Sequence, residues 1–175
     1  MCEPSRLLYI LKYGIAYVHA EKKLDDGSIV YETQKHIMRY QQFFASKSVI
    51  KTLEEGIKKG VIWHTQGSGK TALSYYLVNI LTDYYAKLNI VPKFYFIVDR
   101  IDLKNQASKE FEIRGLSVQS ADSRAELMDQ FNEQNSLSGN SGKKEITVIN
   151  IQRFDERKKE KIDFICLLPA NEGLY

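Results

Sequence analysis

Apolar residues return at helical spacing between Tyr40 and Ile57. Tyr40, Phe43, Phe44, Ile50, Leu53 and Ile57 share the pattern, with Lys47, Lys51, Glu54, Lys58 and Lys59 on the intervening face. This predicts an amphipathic helix packed on something, with Gly56 and Gly60 suited to stop it. Strand and helix patterns then alternate. Val61-Ile62-Trp63 reads as a short apolar strand and Thr71 to about Leu88 as a helix. Phe94–Val98 reads as a strand and Asp102 to about Phe111 as a helix. Leu116–Gln119 is a short strand, Ser123–Phe131 a helix and Ile146–Ile151 a strand. FYFIV and ITVINI are continuous apolar runs, as expected of strands buried on both faces. The alternation predicts an α/β fold, a mostly parallel sheet flanked by helices on both faces. Trp63 is expected in the core.

The remaining segments carry weaker signals. Residues 1–36 form a lead-in segment with no assigned role. Within it RLLYILKYGIAYV reads as a helix followed by a strand, and LDDGSIVY as a turn at Asp26-Gly27 entering a short strand. Residues 132–144, NEQNSLSGNSGKK, are expected to be a polar surface loop. Residues 153–161, RFDERKKEK, are expected to be a solvated connection, with a nucleic-acid contact as the lesser alternative.

Composition narrows the class. At 175 residues, 43% hydrophobic and 27% charged, the chain suits one globular domain with a real core. The formal net charge of +3 is a mild basic bias, which permits nucleic-acid contact without arguing for it. Cys2 and Cys166 are too few and too far apart for a disulfide scaffold, and read as plain thiols. The N-terminus lacks a basic leader and a small-residue cleavage site. No apolar run approaches the roughly 18 residues of a membrane span. A cytoplasmic protein without membrane partners is expected.

The strongest chemical signal is GVIWHTQGSGKTALSYY, residues 60–76. Glycines at 67 and 69 allow successive N–H groups to converge on one anion. A helix beginning at about Lys70 aims its positive end at the same point. Lys70 can reach the β- and γ-phosphates, and the Thr71 hydroxyl can help coordinate Mg²⁺. The pattern G-x-x-x-x-G-K-[ST] is met except at its first position, where His64 stands. His64 is read chiefly as fixing the turn, with a catalytic base as the lesser alternative.

Two further polar stretches are candidates. FYFIVDR ends a strand on Asp99, and carboxyl ends of parallel strands line ligand crevices. Asp99 is a magnesium ligand or a loop-fixing residue, and Arg100 beside it favours a loop that touches substrate. Gln106 follows on the helix. RYQQ, residues 39–42, opens the first amphipathic helix, and a glutamine amide there can both donate to and accept from adenine.

WHTQGSGKT, RYQQFFA, FIVDRIDLKNQ and VINIQRF together resemble the restriction (R) subunit of type I restriction endonucleases. They look like that family's Q motif, motif I, motif Ia and motif Ib region, in order, across about residues 37–155. The resemblance implies a P-loop, RecA-like fold within the superfamily 2 helicase-like motors. Residues 37–175 would be a partial first motor domain. It implies ATP and Mg²⁺ as cofactors, held by Gly67, Ser68, Gly69, Lys70 and Thr71, with Gln42 on the adenine and Thr71 on the metal. Asp99, Arg100 and Gln106 would face DNA, as would Gln152 and Arg153. Implied partners are double-stranded DNA and the methylation and specificity subunits of a type I complex. The family's activity is ATP-driven DNA translocation with endonucleolytic cleavage.

The chain also departs from that family. No nuclease pattern is found in residues 1–36. The apolar run IDFICLLPA leads to Asn171 and Glu172, without the Asp-Glu pair of a Walker B motif. Hydrolysis needs a carboxylate that organises metal and water, and a cation on the transferred phosphoryl group. The expectation is a chain that grips nucleotide and, alone, does not turn it over; no catalytic residue is assigned. The alternatives are a stand-alone P-loop nucleotide-binding module and, less favoured, a small P-loop kinase with Asp99 on magnesium.

Overall fold

The computed structural model describes residues 3–121, 126–127 and 144–151. The chain divides into two units. The first holds residues 1–84 and 113–115, the second 85–112 and 116–175.

The first unit opens with helix α1, Pro4–Tyr13, which starts on a proline whose fixed φ suits a first helical turn. Strands β1 (Ile15–Lys23) and β2 (Ile29–Ile37) follow as an antiparallel hairpin. Its turn is organised by Asp26, whose carboxylate accepts from the Ser28 amide at 2.9 Å and hydroxyl at 2.6 Å. Those bonds hold the exposed Asp26 carboxyl below its usual pKa, the hydroxyl contributing most. Gly27 sits at φ +83°, which glycine adopts without strain. The helix-then-strand reading of the lead-in segment and the turn at Asp26-Gly27 both match what is seen.

Helix α2 spans Tyr40–Glu54 and stops before Gly56, at φ +80°. Its periodicity is right in kind and wider than the buried face in extent. Phe43 is 6% exposed, whereas Tyr40 is 71% and Phe44 52% exposed. The core here joins Ala16, Met38, Phe43, Tyr76 and Ile80, with Tyr9, Ile10, Tyr13 and Ile50 packed against it. The Tyr9 ring meets Phe43 edge-on at 5.3 Å, and its hydroxyl donates to Ser46 Oγ at 3.0 Å. Burial pushes the Tyr9 phenol up, partly opposed by that hydrogen bond. Helix α3, Lys70–Ala86, buries Leu73, Tyr76, Leu77, Val78, Ile80 and Leu81 on several sides, the mark of a helix enclosed by protein. Near its far end Asp83 accepts from Tyr13 Oη at 3.1 Å and pairs with Lys12 Nζ at 2.9 Å.

Between α2 and α3 the structure corrects the sequence reading. Val61-Ile62-Trp63 is not a strand, and Trp63 is not core: it is 91% exposed, and Val61 81%. A strand exists only where a neighbour offers a ladder. The strands described in this unit, β1 and β2, pair with each other and not with residues 61–63.

The second unit is a three-stranded parallel sheet in the order β3 (Tyr95–Val98), β5 (Glu145–Asn150), β4 (Ser117–Ala121). Helix α4, Ile101–Glu112, connects β3 to β4 and lies against all three strands. Phe111 is fully buried and meets Phe96 edge-on at 5.2 Å. The central strand β5 is buried from Ile146 through Asn150, as its continuous apolar run predicts. The expected helix Ser123–Phe131 is described only at residues 126–127, which are helical. The expected loop 132–144, but for Lys144, and the segment 153–175 lie outside the described residues. No described helix is long and apolar enough to cross a membrane.

Phe43→Ala should therefore destabilise the chain by about 3–5 kcal/mol, and Phe44→Ala by less than about 1 kcal/mol, in urea unfolding followed by circular dichroism. Equal losses would mean that α2 is rotated from the phase described.

Candidate phosphate-binding site

The site is the turn that starts α3. Thr65 turns the chain by accepting from both the amide (3.3 Å) and the hydroxyl (2.7 Å) of Ser68. Gly67 and Gly69 sit at φ +76° and +80°, where a side chain would be strained. The first intrahelical bond of α3 runs from the Leu73 amide to Gly69 O at 2.9 Å. The amides of Lys70, Thr71 and Ala72 precede it and have no helical acceptor. Three N–H groups without helical acceptors at the positive end of a 17-residue helix suit an anion with several oxygens. Lys70 Nζ reaches back across the turn to the His64 carbonyl at 3.4 Å. The ammonium is thus held weakly at the mouth of the loop, on an exposed side chain.

One contact of this site lies outside the turn itself. Gln42, 3% exposed, donates from Nε2 to Gly69 O at 3.0 Å. Its Oε1 accepts from the Arg39 amide at 2.9 Å, capping α2. Gln42 thus ties the start of α2 to the glycine from which α3 begins. A Cβ on Gly69 would stand 2.6 Å from Gln42 Nε2, so a side chain here would be strained by φ and would also push the Gln42 amide from its bond. The sequence offered the RYQQ glutamines as adenine readers on amide chemistry, and the resemblance singled out Gln42. Its bond to Gly69, 27 positions away, leaves no local signal, although the Arg39-x-x-Gln42 spacing is that of an N-terminal cap.

Gln42, Gly67, Ser68, Gly69, Lys70 and Thr71 therefore come together, with Ser68 buried and Thr71 half-buried in the first turn of α3. Among the described residues no cluster of three or more His, Cys, Asp or Glu side chains could hold a metal.

The remaining candidates belong to the second unit. Asp99 and Arg100 follow β3 at the carboxyl end of the sheet, Asp99 half-buried and Arg100 exposed. The Arg100 carbonyl accepts from the Lys104 amide at 3.1 Å, so Arg100 leads into the first turn of α4. Gln106 is exposed on α4. Gln152 and Arg153 lie outside the described residues.

In keeping with a parallel α/β sheet and a glycine loop that opens a buried helix, residues 41–171 match the family model of SWI2/SNF2 ATPases. The chain belongs to that family. Among curated proteins its relatives are endonuclease subunits of type I restriction enzymes. It is 42% identical over 113 residues to the putative type I restriction enzyme MjaVIIP endonuclease subunit of Methanocaldococcus jannaschii, which covers 62% of this chain and 10% of the relative. It is 31% identical over 153 residues to the type I restriction enzyme SsaAORF53P endonuclease subunit of Staphylococcus saprophyticus, covering 84% and 16%. The chain thus spans about a tenth to a sixth of the length of these two relatives.

Gly69→Ala tests the site directly. The left-handed backbone costs about 1–2 kcal/mol with a side chain present, and the new methyl displaces Gln42. Triphosphate affinity should fall about tenfold or more, by calorimetric titration, while the chain stays folded. Unchanged affinity would remove the turn from the binding site.

Proposed function

We propose that this chain is the ATP-gripping part of a type I restriction enzyme's R subunit, built on a RecA-like first motor domain. The observation that supports the reading is the Gln42–Gly69 bond, which ties α2 to the glycine just before the Lys70, Thr71 and Ala72 amides that have no helical acceptor. In this reading those amides, with Gly67 and Ser68, cradle the polyphosphate. Lys70 leaves the His64 carbonyl for the β- and γ-phosphates, and Thr71 ligates Mg²⁺. After its two backbone bonds the Gln42 amide keeps one N–H and one lone pair. Adenine offers a matching acceptor at N7 and donor at N6.

The second unit would supply the DNA side, through Asp99, Arg100 and Gln106, with Gln152 and Arg153 following β5. Double-stranded DNA would be the track, and methylation and specificity subunits would complete a cytoplasmic complex. Translocation requires two domains that close on ATP and reopen. Val61 and Trp63, fully exposed beside the phosphate turn, favour a piece of a larger motor over a self-sufficient nucleotide module.

The 175-residue chain should bind MgATP in isothermal titration, and Lys70→Ala should abolish the binding. Its ATP turnover should be negligible and unchanged by added duplex DNA. Rapid DNA-stimulated turnover would contradict the division between grip and stroke, and absence of binding by the parent chain would contradict the grip.

A further inference from the structure

The β1–β2 hairpin has an edge that the nucleotide site does not use. Three hydrogen bonds fix which groups face it. Leu24 N–H bonds to Ser28 O at 2.9 Å, and Met38 N–H to Gly14 O at 2.7 Å, each in line with the Ile15↔Ile37 register. Even-numbered positions of the hairpin therefore exchange the inter-strand bonds. His19 N–H, at an odd position, points away from β2 and bonds Ile113 O at 3.1 Å. In an antiparallel ladder the two kinds of pair alternate. So Ile29, Tyr31, Thr33, Lys35 and Ile37 turn their N–H and C=O groups to the outer edge of β2, where no described residue bonds them. Ile29 is 57% exposed, Tyr31 73% and Ile37 62%. A nine-residue edge with apolar side chains and open hydrogen-bonding groups is what strand addition uses.

The sequence of β2 is complementary to itself. In an antiparallel pairing of two copies centred on Thr33, Ile29 stands opposite Ile37 and Val30 opposite His36. Tyr31 stands opposite Lys35, Glu32 opposite Gln34, and Thr33 opposite Thr33. All nine residues are engaged, no like charges stand directly opposite, and the outward groups at 29, 31, 33, 35 and 37 face one another as hydrogen-bonded pairs. The Tyr–Lys pairing already occurs inside the hairpin, where Lys35 Nζ lies 5.6 Å from the Tyr17 ring centre. Apolar, Thr–Thr and cation–aromatic cross-strand pairs each favour association. Shifting so that Glu32 meets Glu32 opposes like charges, and other shifts leave strand ends unpaired.

We propose that the outer edge of β2 is a self-association surface, and that two copies of this chain join through it into a four-stranded antiparallel sheet in the order β1-β2-β2-β1. The test is sedimentation velocity of the 175-residue chain over a concentration series, with amide hydrogen exchange on the same samples. The parent should show a reversible monomer–dimer equilibrium. Exchange at Tyr31, Thr33 and Lys35 should slow as concentration rises, while Glu32 and Gln34 stay constant. Tyr31→Lys would place two lysine pairs across the interface but a favourable Lys–Glu21 pair within the hairpin. It should weaken the dimer about tenfold without loss of strand signal in circular dichroism. Adding Lys35→Glu should restore the dimer by making those pairs opposite in charge. A parent that stays monomeric, or a dimer indifferent to Tyr31→Lys and without protection at the odd amides, would overturn the proposal.

Discussion

The hydrogen bond from Gln42 to the Gly69 carbonyl is the constraint on which the first unit's site depends. Gly69 is in the left-handed region, and its carbonyl also receives the first intrahelical bond of α3. One oxygen therefore sets both where the helix begins and how the turn before it is aimed. The cost of leaving a buried amide such as Gln42 unsatisfied is larger than the net value of a typical hydrogen bond. The clasp is accordingly maintained from both sides, by Arg39 N–H on Oε1 and Gly69 O on Nε2.

What supports the clasp comes largely from the lead-in segment. Helix α1 touches α2 through Tyr9 on Phe43 and Ser46, and α3 through Lys12 and Tyr13 on Asp83. It thereby braces the two helices that flank the phosphate turn. Most of this holding energy lies in the aromatic packing around Phe43 and Tyr76. The Lys12–Asp83 pair is substantially exposed and screened by solvent.

How much could be read from the sequence follows from where each signal originates. Local signals served well. The continuous apolar runs FYFIV and ITVINI became parallel strands β3 and β5, and the glycine-lysine turn opened a helix at Lys70. Asp26-Gly27 made its turn because both residues act within four positions. Signals that depend on a distant neighbour did not serve. Val61-Ile62-Trp63 has strand composition but pairs with no described strand, and Trp63 stands in solvent. The spacing of Tyr40 and Phe44 marked a helix without showing that only the Phe43 side meets the core. Gln42 was offered by its amide chemistry and singled out by a resemblance, but its bond to Gly69 is a tertiary contact that no local pattern encodes.

The measurement that tests the central claim most directly is amide hydrogen exchange across residues 64–82, comparing the parent chain with Gln42→Ala. If Gln42 holds the turn, exchange at residues 67–73 accelerates in the variant while the buried middle of α3, around Tyr76 to Leu81, keeps its protection. Identical exchange at the turn in both chains would contradict the account, since the loop would then be set by its own sequence and not by the clasp.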